Sequence, residues 1–167
     1  KYSAERERSV GLGVMGFHSY LQKNQIPLES VMSKVWNKKI FKHIQENVDQ
    51  ASKDLAEERG ACPDAADYGY NERFSNKTAI APTASISIIC GGASPGVEPV
   101  AANSYTHKTL SGSFNVRNRY LVELLEKYEK NTEEVWSGIT TNQGSVSHLD
   151  FLTALEKDVF KTAFELD

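Results

Sequence analysis

Residues 30 to 60 constrain the fold of this chain more than any other stretch. Val31, Val35, Ile40, Phe41, Ile44, Val48, Ala51 and Leu55 recur mostly at three- and four-residue spacing, which lines one face of an α-helix with apolar side chains. Ser30 stands where a side-chain oxygen can accept from the free amides of a first turn. Gly60 follows a charged last turn and is a natural helix stop. Upstream, Pro27 in the connector 24–30 ends what precedes it. The spacing therefore predicts one helix from Ser30 to about Arg59, and any fold has to be arranged around it.

The remaining segments are shorter. Residues 9–23 are apolar with interspersed glycine and enter a helix near Val14. Residues 61–77 are turn-rich and read as a loop, and Thr78-Ala79-Ile80-Ala81 is a short strand candidate ended by Pro82. Residues 103–116 read as a loop with extended character. A second helix spans Asn118 to Lys130 with Leu121, Leu124, Leu125 and Tyr128 on one face, and a helical turn follows from Glu133 to Trp136. After a loop at 140–147, one or two helices carry Leu149, Leu152, Leu155, Val159, Phe160 and Phe164. The fold class is helix-rich α/β, with too few strands for a complete sheet. Neither end reads as a natural terminus, so residues 1–167 are expected to be a single piece of a larger domain.

Charge and cysteine usage exclude several functions. A net charge of −3 argues against direct nucleic-acid binding, which favours a basic face. No run approaches the ~18 apolar residues of a membrane span, and the charged residues 1–8 are no secretory signal. Cys62 and Cys90 are the only cysteines, too few for a disulfide framework or a four-ligand zinc site. A cytoplasmic setting is the expectation. His18, His43, His107 and His148 are scattered without metal-ligand spacing, so no metal site is expected, and both cysteines read as structural.

Gly11-Leu12-Gly13-Val14-Met15-Gly16 spells G-x-G-x-x-G. A dinucleotide site needs a buried strand before that motif and an acidic residue ~20 positions later in a βαβ unit. Here charged residues precede it and another helix follows, so close packing of a helix through glycine is the expectation.

The stretch "APTASISIICGGASPGVEPV", residues 81–100, is the candidate site. Two local readings stand side by side. Ser85-Ile86-Ser87-Ile88 alternates like a half-buried strand. Alternatively, Thr83 or Ser85 caps a short helix whose first amides face outwards, where unpaired N–H groups and a partial positive charge bind phosphate.

The order of motifs resembles the large (α) subunit of class I ribonucleotide reductase, specifically the C-terminal part of its catalytic ten-stranded α/β barrel. "RSVGLGVMGFHSYL", "ASKDLAEERGACP", "APTASISIICGGASPGVEP", "YTHKTLSGSFNVRNRYL" and "VFKTAFELD" carry the likeness in family order. The wording of the third and fourth stretches is similar to that of T4-like phage enzymes. The resemblance implies a helix after Pro82 and assigns diphosphate binding to Pro82, Thr83, Ala84, Ser85 and Ile86, with Ser87 adjacent. Many relatives carry Thr or Ser where Ile86 stands, so only its amide can contribute. The resemblance further implies a ribonucleoside-diphosphate reductase acting by thiyl-radical chemistry, with the radical and redox cysteines outside this chain. It implies a metal-containing small (β) subunit as radical source, a homodimer partner, and thioredoxin or glutaredoxin as dithiol reductant, in the host cytoplasm if phage-encoded. No cofactor or catalytic residue falls on these 167 residues by this reading. The alternative is a stand-alone phosphate- or nucleotide-binding module without catalysis; a purely structural helical domain is the third reading.

Overall fold

The computed structural model describes residues 1–110 and 112–167; Ser111, inside the fourth of the quoted stretches, lies outside the described residues. The order of elements is α1 (Tyr2–Glu7), α2 (Phe17–Lys23), α3 (Val31–Arg59), α4 (Pro63–Asp67), α5 (Ala84–Ile89), β1 (Ser104–Thr109), β2 (Gly112–Arg117), α6 (Arg119–Lys127), α7 (Glu133–Thr141) and α8 (Ala154–Val159), followed by a 3-10 turn at Ala163–Glu165. Contacts divide the chain into two compact units, residues 1–14 with 34–81 and residues 15–33 with 82–167.

α3 runs as its spacing predicts, with its residues from Lys34 onward in the first unit and Ser33 N donating to Ser30 Oγ at 3.2 Å at its start. Two short helices lie where a charged run and a loop are expected. α1 is tied to α4 by Arg6, whose Nε donates to Asp64 Oδ1 at 2.6 Å and whose guanidinium also bonds Asp67. Pro63 opens α4, a position where its missing N–H costs nothing and its fixed φ suits the helix. The expected strand at 78–81 is reduced to one parallel bridge, Leu12 with Thr78. Gly13 explains why the backbones approach so closely there: a Cβ at that position would stand 2.7 Å from the carbonyl oxygen of Ala79. The first two glycines of the G-x-G-x-x-G spelling thus pack against an extended segment, not a helix.

The second unit holds the core. α6, α7 and α8 present Leu121, Leu124, Leu125, Trp136, Ile139 and Val159 to one another, joined by Val146, Leu149, Leu152 and Phe160 from the connecting turns. Each fully buried aliphatic side chain contributes about 1.5–3 kcal/mol, which holds helices too short to stand alone in water. All three have side-chain caps. Asn118 accepts from Tyr120 N, Thr132 from Val135 N, and Thr153 with Glu156 closes a capping box at α8. α7 runs to Thr141, past the single turn expected. Leu149 and Leu152 lie in turns before α8, Leu155 and Phe164 face outwards, and Tyr128 sits at the rim, its hydroxyl donating to Glu156.

Residues 103–116, expected as a loop, form most of an antiparallel hairpin. β1 and β2 pair from Ser104 with Arg117 to Thr109 with Gly112. α2 begins at Phe17, three residues later than expected, because Gly16 holds φ +82° at its N-cap, a conformation glycine adopts without steric cost.

Candidate functional site

The segment after Pro82 is a helix. Ser87 N donates to Thr83 O at 2.9 Å, the first bond of α5. The N–H groups of Ala84, Ser85 and Ile86 therefore precede the helical ladder. The alternation Ser85-Ile86-Ser87-Ile88 is not that of a strand; Ser87 turns inward, while Ile86 and Ile89 are exposed.

Thr83 sets this geometry in an unexpected way. It occupies the N-cap at φ 46°, ψ 28°, the left-handed region, and its side chain makes no cap bond to α5. A β-branched residue is strained there, at a cost of order 1–3 kcal/mol. Its hydroxyl oxygen instead accepts from Gly96 N at 2.7 Å. That bond joins the start of α5 to the Pro95-Gly96 turn. At the other end, Gly92 N and Ala93 N both donate to Ser87 O, and Cys90 is an exposed C-cap, not a buried small hydrophobe. Cys62, in the first unit, is fully buried as a structural cysteine would be.

A cleft of about 530 Å³ opens beside α5 within the second unit. Ala84, Ser85, Ser87 and Ile88 form one wall, and Tyr105, His107, Val116 and Arg117 of the hairpin form another. Ser19, Pro95, Val100 and Asn118 also line it. Of the six residues expected to bind phosphate, Ala84, Ser85 and Ser87 line the cleft; Pro82, Thr83 and Ile86 do not. Ser87 has both donors engaged, its amide on Thr83 O and its hydroxyl on Ala84 O at 2.8 Å.

The lining is electrostatically mild. Among the described residues no carboxylate lines it, and Arg117 is its one Lys or Arg. That guanidinium bonds Glu133 at 2.6 Å and stacks 5.0 Å from the centre of the Trp136 ring. An anion entering here would meet backbone amides and hydroxyls with no fixed negative charge against it. Among the described residues no group of three or more His, Cys, Asp or Glu is placed to hold a metal ion, and no helix is long and apolar enough to cross a membrane.

His18 adjoins Ser19, which lines the cleft. It is buried, its Nδ1 accepts from Val100 N at 3.0 Å, and burial pushes its pKa down to about 4, against a smaller upward pull from a backbone bond to Val159. The ring is neutral near pH 7.

Sequence reasoning missed the hairpin wall, with Tyr105, His107 and Arg117. One signal was present: Ser111-Gly112, a turn dipeptide between two runs that carry tyrosine, threonine, phenylalanine and valine.

A helix start of small residues faces a hairpin on a helix-rich scaffold, and comparison with known proteins defines the class. The chain matches the family described as ribonucleotide reductase, barrel domain, over residues 1–73 and 64–167. It belongs to that family. It is 46% identical over 99% of its length to a ribonucleoside-diphosphate reductase large subunit of Invertebrate iridescent virus 3, covering 26% of that protein. A putative large subunit of Frog virus 3 is 42% identical over 99% of the chain, which covers 29% of it. Among solved structures, the Actinobacillus ureae class Id ribonucleotide reductase alpha subunit superposes with a TM-score of 0.86 at 42% identity, over 96% of this chain and 29% of that one. The chain thus spans about a quarter of the length of these relatives.

Proposed function

We propose that this chain is the part of a ribonucleoside-diphosphate reductase large subunit that holds the substrate's diphosphate. The observation that carries this reading is the start of α5, where three amides precede the helical ladder and two of their residues, Ala84 and Ser85, line a cleft with no acidic lining among the described residues. Ala84, Ser85 and Ile86 supply backbone N–H groups, and the Ser85 hydroxyl adds a donor. Thr83 and Ser87 act by shaping the segment: the first through Gly96, the second by closing the first turn onto Ala84. Pro82 ends the preceding extended residues. With the diphosphate fixed at this end, the nucleoside would extend along the cleft beside Tyr105 and His107.

Reduction at the ribose 2′ position belongs to the whole enzyme. In this reading a radical generated in a metal-containing small subunit reaches a cysteine outside these 167 residues, and a dithiol of the thioredoxin or glutaredoxin type restores the electrons. The chain's own residues bind and orient. A homodimer partner and the small subunit complete the assembly.

The test is equilibrium binding of CDP to the complete large subunit, with cytidine as control. Ser85→Ala removes the hydroxyl, and Ser85→Pro removes the hydroxyl and the amide donor together. A hydrogen bond to a charged group contributes about 1.5–3 kcal/mol. Ser85→Pro is therefore expected to weaken CDP at least about tenfold and Ser85→Ala less. Equal CDP affinity in wild type and Ser85→Pro would take the diphosphate away from this helix start.

A further inference from the structure

We propose that the polar face of α2, made of His18, Ser19 and Gln22, is a positioning framework for the cleft. All three are buried, and each bonds a different stretch of the wall. His18 Nδ1 accepts from Val100 N. Ser19 and Ser94 form a reciprocal pair, Ser94 N donating to Ser19 Oγ at 2.8 Å and Ser19 N to Ser94 Oγ at 3.2 Å. Gln22 Oε1 accepts from Asn118 Nδ2 at 2.9 Å. Val100, Asn118 and Pro95, next to Ser94, all line the cleft. His18 and Gln22 stand one turn apart with Ser19 beside them, so one helix face gathers three segments distant in sequence.

A face selected for stability alone would be apolar. Here Gln22 Nε2 is buried and has no hydrogen-bond partner among the described residues, and an unpaired buried donor is costly. The amide is explained by what its other end holds, because Asn118 both caps α6 and lines the cleft. Asn118 is fixed from a second side by Asn103 Oδ1, and Asn103 Nδ2 in turn donates to Gly144 O and Phe160 O. From Ser94 the connection continues two residues on to Gly96, whose amide holds the left-handed Thr83 where α5 begins. Gly16 N, at the start of α2, also donates to Ser94 O. The third glycine of the G-x-G-x-x-G spelling thereby gains a place in the same framework.

The substrate arm of the test rests on the diphosphate reading; the exchange arm does not. In the complete subunit assayed with its small subunit, Ser94→Ala is expected to raise the KM for CDP about fivefold, the equivalent of one lost hydrogen bond, with kcat largely unchanged. Without nucleotide, hydrogen–deuterium exchange over residues 83–97 quickens by a similar factor. Gln22→Met, which removes Oε1 and the unpaired donor together, is expected to raise KM and quicken exchange around residue 118 without lowering the melting temperature. A lower melting temperature in both variants, with KM and local exchange unchanged, overturns the proposal and leaves α2 a packing element. Quickened exchange in Ser94→Ala, in an enzyme whose wild type does not respond to CDP, keeps the framework and retires the diphosphate reading.

Discussion

Helix α3 and the α6–α8 cluster treat their apolar faces differently. α3 is 29 residues long, yet Val31, Met32 and Val35 near its start are exposed, and Ile40, Phe41, Ile44, Val48 and Leu55 are only half-buried. The helices of the cluster have six to nine residues, and Leu121, Leu125, Ile139, Val159 and Phe160 within it are wholly buried. Short helices gain little from their own hydrogen-bond ladder and depend on burial. Length, a serine at the start and a glycine at the end do more of the work for α3. Periodicity reports that a face is apolar; whether the face is covered is a separate fact.

Paired truncations give the largest test of that difference. Leu125→Ala leaves a cavity in a closed core and is expected to cost about 2–5 kcal/mol. Leu55→Ala, on the half-buried stripe, should cost about 1 kcal/mol. Urea unfolding reads each separately, because Trp136 belongs to the cluster and Trp36 to α3. The first is followed in a Trp36→Phe background and the second in Trp136→Phe. Equal losses would mean that the stripe of α3 is as well packed as the cluster.

The same contrast explains what was legible in the sequence. α3 follows from spacing and its cap, which forms as read at Ser30, and α6 follows from spacing, with Asn118 serving as its N-cap. The hairpin was hidden because Ser104 to Thr109 is polar almost throughout, so no apolar alternation marks it. α7 was expected only from Glu133 to Trp136 and runs on through Gly138, which stands where a Cβ would meet the His148 ring at 3.2 Å. α5 was ambiguous locally, and the bonds that shape its surroundings join distant residues: Thr83 to Gly96, Ser19 to Ser94, Gln22 to Asn118. No window of neighbouring residues contains those pairs. The motif order located the candidate phosphate segment, but the walls of the cleft came only from the tertiary structure.

A buried titrating group adds a second, smaller distinction between the regions. His18 is held neutral inside the second unit with its pKa near 4, whereas an unfolded chain takes up that proton near its ordinary value of about 6.5. Between those values the unfolded state binds more protons, so His18 makes stability fall as pH drops from about 6.5 toward 4 and has no pH effect above or below that window. The slope approaches about 1.4 kcal/mol per pH unit for one group. Carboxylates also titrate at the lower end, so the readout is the difference between wild type and His18→Gln, followed by Trp136 fluorescence. A pH profile unchanged by His18→Gln would show that the ring is not held neutral by burial.

The smallest expected effect lies at the exposed start of α3. Val35 is 48% exposed and β-branched, which lowers its helix propensity relative to an unbranched polar residue. Val35→Gln should therefore be neutral or stabilise by a few tenths of a kcal/mol, with helical circular dichroism kept. The measurement is the urea midpoint followed by Trp36 at two protein concentrations tenfold apart. A loss above about 1 kcal/mol that appears only at the higher concentration would mean that a second copy covers this face in solution. The same loss at both concentrations would mean that the chain itself buries Val35, and the contrast between α3 and the cluster would then narrow at the very residues that define it.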